Sequence, residues 1–183
     1  MHSASTRVGG FSLIELLVTI TLVAILLGIA LPNFRRVGSN NANLSLSNQL
    51  IADLNLARNT AVQRGTAVGV VADAAGWLQG WSIVAGQFVG TTFTPSQTLA
   101  TRPALDANSL LSATNTLPAS VSQVVFNGSG NSAASTVAPA PAVTFSVCRK
   151  NESQSQTRRI TVAPSGLVTS LSVSTSSTAT ACS

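Results

Sequence analysis

From Phe11 to Leu31 the chain stays apolar for twenty-one residues, and the only charge in that run is Glu15. At about 1.5 Å of rise per residue the run makes a helix of roughly 30 Å, the thickness of a bilayer core. A carboxylate inside such a segment is costly in lipid, and groups of this kind are usually paired and functional. A short polar leader precedes the run and ends in Gly9-Gly10, so the apolar stretch begins abruptly. The remaining 150 or so residues are enough to build one domain with its own core.

The segment Gly10-Phe11-Ser12-Leu13-Ile14-Glu15-Leu16-Leu17 resembles the class III signal of type IV prepilins and type II secretion pseudopilins. The resemblance implies that a prepilin peptidase cuts after Gly10 and methylates the new N-terminus, Phe11. Glu15 then stands at the fifth position of the processed chain and Pro32 at the twenty-second, both positions that matter for assembly in that family. It also implies an orientation. His2 and Arg7 precede the run and Arg35 and Arg36 follow it, so charge alone does not decide which end stays inside. A prepilin keeps its leader in the cytoplasm and crosses the inner membrane once, with a periplasmic head.

Charged residues make up only 8% of the chain. Without Arg7 it keeps nine basic and five acidic side chains, too few positive charges for a dedicated nucleic-acid protein. The processed chain has neither His nor Tyr, and its acids Glu15, Asp53, Asp73, Asp106 and Glu152 are scattered and unpaired in sequence. Nothing supplies a base beside a nucleophile, so no enzyme activity is expected. His2 is the only histidine, and two thiols do not complete a zinc site, so neither a metal nor a cofactor is expected. With the head exported, Cys148 and Cys182 lie in an oxidising compartment. One disulfide closing a 35-residue loop is the expectation, two free thiols the alternative.

Along the chain, helix is expected over 11–64, with Pro32 kinking or locally melting it. Leu46, Leu50, Leu54, Ala57 and Ala61 fall at helical spacing and mark a stripe that packs on the head, and Gly65 reads as a cap. The head reads as all-β. Candidate strands are 66–72, 81–84 and 87–92 as a hairpin about Gly86, then 121–126, 142–149, 158–163 and 167–173, with a tight turn at Pro164-Ser165-Gly166. Residues 128–141 read as a mobile loop, 94–118 show no firm pattern, and 174–180 form a Ser/Thr-rich tail. The expected fold is therefore α+β, a long N-terminal helix packed on an antiparallel head of two sheets. The expected parts are a leader (1–10), a membrane and filament-core helix (11–31), an amphipathic helix (32–64) and a β head (65–183).

Leu56-Ala57-Arg58-Asn59-Thr60-Ala61-Val62-Gln63-Arg64-Gly65, the valine strand after it, and Gly76-Trp77-Leu78-Gln79-Gly80-Trp81 are similar to the GspH/FimT group of minor pilins and pseudopilins. Phe145-Ser146-Val147-Cys148-Arg149 with Cys182 resembles the disulfide-bearing end of FimU and FimT proteins. Core packing is the ordinary role for Trp77 and Trp81. Three functions follow from the resemblance. The first is a minor pilin that initiates or caps a type IV pilus, with Glu15 neutralising a neighbour's Phe11 amine and other pilins bound through Leu13, Ile14, Leu16, Leu17, Ile20 and Leu22. The second is a FimT-like receptor for double-stranded DNA, with Arg149, Lys150, Arg158 and Arg159 as candidate phosphate contacts. The Gly-Arg-x-Arg turn of that group reads Gly166-Leu167-Val168-Thr169 here. The third is a GspH-like pseudopilin of type II secretion.

Overall fold

The computed structural model describes residues 12–115, 121–133, 141–149 and 157–173, including their side chains except those of 29–37, 39 and 115. Among these, one helix, α1 (Leu13–Arg64), precedes nine strands: β1 (Ala67–Asp73), β2 (Gly76–Val89), β3 (Thr92–Arg102), β4 (Ser109–Asn115), β5 (Gln123–Phe126), β6 (Ser132–Ala133), β7 (Val143–Arg149), β8 (Thr157–Val162) and β9 (Val168–Val173). The chain divides into two compact units, one ending at Gly38 and the other beginning at Ser39. The helix continues through Pro32, which supplies no N–H to it, so of the two outcomes expected there local melting does not occur.

In the second unit the strands form two antiparallel sheets, ordered β3-β2-β1-β5-β6 and β4-β7-β8-β9. The stripe of α1 does what its spacing implies. Leu46, Leu50, Leu54, Ala57 and Ala61 are all buried, the last four completely. Removing each leucine side chain from water is worth about 1.5–3 kcal/mol. The stripe shares one core with Val68, Val70, Ile83, Val124 and Phe126 of the first sheet and Leu111, Phe145, Val147, Ile160 and Val162 of the second. Trp77 and Trp81 lie in the same core, Trp77 edge-on to Phe145 at 5.0 Å between ring centres. The helix stops where Gly65 takes φ 62°, with the Thr66 N–H donating to Ala61 C=O and the Gly65 N–H to Val62 C=O. These two crossed bonds satisfy carbonyls that a helix end leaves open.

Gly86 is not a hairpin turn. β2 runs straight through it, and the reversal comes at Gly90-Thr91. Gly86 is needed for close approach instead. A Cβ there would strike the Thr94 carbonyl and the Phe93 ring, and the same ring lies 3.0 Å from where a Cβ on Gly69 would stand. Phe93 thus lies over two glycines and joins Ala67, Val84 and Val125 in a second apolar cluster. The stretch 94–118 without a firm pattern holds most of β3 and all of β4. Pro95 and two register shifts in the β2–β3 pairing break the alternation that would have marked β3. The expected loop at 128–141 contains β6, paired with β5, and residues 134–140 lie outside the described ones. The turn after β8 is as expected: Gly166 has φ 77° and the Ala163 N–H donates to Leu167 C=O at 2.9 Å.

Candidate functional site

Two groups of residues bear on function, one in each unit. In the first, every described side chain from Ser12 to Gly28 is exposed, including Leu13 at 81% and Leu26 at 66%. Such a surface needs a cover of lipid or of other helices. Its two threonine hydroxyls are satisfied: Thr19 donates to the Leu16 carbonyl and Thr21 to those of Leu17 and Val18, each at 2.8 Å. Glu15 is the only acid in this stretch and sits in the first turn of α1. Gly10 and Phe11 lie outside the described residues, as does the side chain of Pro32. Among the described residues no helix is long and apolar enough to cross a membrane.

In the second unit two of the acids that looked unpaired, Asp53 and Asp106, have arginine partners. Asp53 lies on α1 among the stripe residues and is 1% exposed. Its Oδ2 accepts from the Trp81 Nε1–H and from the Arg102 Nε–H, both at 2.9 Å, and its Oδ1 accepts from the Arg102 guanidinium at 2.7 Å. The fork ties the helix to β2 and β3 at once, with the bidentate geometry that makes arginine–carboxylate pairs strong. The hydrogen bond and charge of Asp53 raise the Arg102 pKa above its ordinary value. Sequence reasoning missed this triad. An acid inside an apolar stripe calls for a base, and Arg102 is the only basic residue between Arg64 and Arg149.

Asp106, in the turn before β4, holds Arg149 at 3.1 Å. Partial desolvation would raise the Asp106 pKa, but the Asn108 N–H and the Arg149 guanidinium outweigh it and lower the value. Arg58 of α1 donates from Nε to the Gly130 carbonyl at 2.9 Å. The 163–167 turn packs against that same pair, since a Cβ on Gly166 would meet both Gly130 and Arg58.

Of the candidate DNA-binding residues, Arg149 and Arg158 lie on one face of the second sheet, on adjacent strands, and Arg159 lies on the other. Arg149 is engaged by Asp106, and its side chain is only 15% exposed. Arg158 and Arg159 are neighbours in β8, so they point to opposite faces of the sheet. Arg158 shares the face of Ile160 and Val162 and is half-buried, while Arg159 is exposed beside Ser146 and Leu171. Lys150 lies outside the described residues. Cys148 is buried on β7, and Cys182 also lies outside them.

The sequence matches the family described as type II transport protein GspH over residues 46–166, and the prokaryotic N-terminal methylation motif over residues 5–31. No curated protein matches it in sequence. In fold it is similar to two crystal structures of the type IV minor pilin FimU from Pseudomonas aeruginosa strain PAO1. One aligns with a TM-score of 0.54 at 21% identity over 81% of this chain and 98% of that one. The other aligns with 0.52 at 20% over 76% and 99%. The minor pseudopilin EpsH of the Vibrio cholerae type 2 secretion system aligns with 0.49 at 19% over 70% and 95%.

Proposed function

The chain belongs to the GspH family, as a minor pilin or pseudopilin of the type IV pilus and type II secretion class, and we propose that it is a minor pilin that helps initiate or cap a type IV pilus. The observation that carries this reading is the wholly exposed apolar helix surface after Ser12, with a single carboxylate at Glu15. A filament of bundled helices covers such a surface; a soluble protein would leave it in water.

The mechanism is electrostatic. Peptidase cleavage after Gly10 frees the Phe11 amine, and Glu15 of one subunit neutralises the amine of its neighbour. At 4 Å two unit charges attract by about 1 kcal/mol in water but about 4 kcal/mol at an effective dielectric near 20, so the pair forms as helices exclude water. Before assembly the 11–31 segment spans the inner membrane and the head stands in the periplasm. There Cys148 bonds Cys182, the FimU-like feature that favours a pilus over a secretion system. A DNA-binding role would rest on Arg149 and Arg158 alone, because Arg159 lies on the other face of the sheet and Arg149 is engaged by Asp106.

Replacing Glu15 with Ala tests the mechanism. The variant is expected to be cleaved and to reach the membrane normally, yet to be missing from sheared pili. Normal incorporation into pili would rule the pairing out.

A further inference from the structure

We propose that Asn127 is a self-modification site: the loop between β5 and β6 promotes closure of its side-chain amide onto the Gly128 nitrogen, which leaves aspartate or isoaspartate at position 127. The inference does not depend on the proposed function. Asn127-Gly128 is the one Asn-Gly pair in the chain, and glycine sets no side chain beside the attacking nitrogen.

The loop serves both atoms of the carbonyl under attack. Asn127 follows β5, and its Oδ1 accepts from the Ser129 N–H at 3.0 Å. That bond closes an Asx turn, which curls the side chain back over the 127–128 peptide and holds Cγ beside the Gly128 nitrogen. Oδ1 also accepts from the Asn131 N–H at 3.0 Å. Only the oxygen of the amide can accept, so these two donors assign its orientation. They also face the atom that becomes negative when Cγ turns tetrahedral, which is the arrangement of an oxyanion hole. Two further bonds hold the loop in this form: the Asn127 N–H donates to Asn131 C=O at 3.0 Å, and the Gly130 N–H to Asn127 C=O at 2.8 Å. Ser129 and Asn131 are exposed, so water reaches the loop.

The reaction needs only water. The Gly128 nitrogen loses its proton to solvent and bonds to Asn127 Cγ, the Cγ–Nδ2 bond breaks, and ammonia leaves. Water then opens the resulting ring. Breaking its bond from nitrogen to Cγ gives aspartate, and breaking its bond from nitrogen to the main-chain carbonyl carbon gives isoaspartate.

The two products fit the head differently. A Cβ on Gly128 would stand 2.7 Å from the Gly65 backbone and one on Gly130 2.9 Å from Val62, so the loop is wedged against the end of α1. Arg58 fastens it there through the Gly130 carbonyl. Aspartate keeps the length of the main chain, and its carboxylate accepts the same two N–H bonds more strongly. Isoaspartate adds a methylene to the main chain where there is no room for it, which separates Gly130 from Arg58.

The test incubates the full chain in detergent at neutral pH and follows position 127 by peptide mass mapping. Conversion is expected to be at least about tenfold faster in the folded chain than in the same chain held unfolded in guanidinium chloride. Asn108 and Asn131, each followed by serine, should stay intact in the folded chain over the same period. Equal or slower conversion in the folded chain, or conversion of Asn108 or Asn131 at the rate of Asn127, would overturn the proposal. The isoaspartate fraction should also melt below the parent chain, whereas Asn127→Asp should not. Equal melting of those two forms would overturn the consequence assigned to the Arg58 contact.

Discussion

The Asp53 carboxylate joins α1 to β2 and β3 in the second unit. It is buried with three donors directed at it, so removing it strands the Trp81 Nε1–H and frees the Arg102 guanidinium. Asp53→Ala should cost about 1–3 kcal/mol in chemical denaturation, chiefly from the buried Trp81 donor left unsatisfied, because the Arg102 side chain is 36% exposed and reaches water. Asp106 behaves differently because its side chain is 55% exposed. Its pKa is lowered in the folded chain, so the stability it contributes is present above the unfolded carboxylate value of about 3.9 and fades as pH falls through the folded value. With solvent screening the contribution is below about 1 kcal/mol. Asp106→Asn should lower neutral-pH stability by less than about 1 kcal/mol, match the parent at low pH and so flatten that acid limb. Neither pair was legible in the sequence. Arg102 lies 49 residues from Asp53 and Arg149 lies 43 from Asp106, and in each pair at least one partner falls where no pattern marked an element.

Elements were legible where their period was undisturbed. The α1 stripe kept 3.6-residue spacing and was read residue by residue, and the turn at 164–166 carried its own turn chemistry. β2 and β3 were not, because Gly86 looks like a turn when only the chain itself is considered. Its role depends on Phe93 from the next strand. Gly86→Ala should destabilise by about 1–3 kcal/mol through that collision, visible as a lower denaturation midpoint with an unchanged slope. Leu54→Ala, in the middle of the stripe, should cost about 2–5 kcal/mol. The candidate site divided in the same way. Glu15 sits on an exposed helix surface that its apolar run foretold. The basic candidates are divided by strand alternation, which leaves Arg158 on the face of Arg149 and sends Arg159 to the other.

At the scale of the whole molecule, the proposed export of the head makes its stability depend on redox state. A Cys148–Cys182 bond closing 35 residues is worth about 3–4 kcal/mol by loop entropy. Cys148→Ser should lower the melting temperature in oxidising buffer and match the parent chain once reductant is added. The two sheets also set an order of events. The chain passes from one sheet to the other between β3 and β4, returns between β4 and β5, and crosses again between β6 and β7. The stripe on α1 packs against residues as distant as Val162. Non-local cores of this kind close late and slowly. A chain exported from its N-terminus would present Leu46, Leu50 and Leu54 to the periplasm before β8 had emerged to cover them. In the proposed export, the head would stay an unfinished, aggregation-prone chain for the time that separates the emergence of residue 46 from that of residue 162.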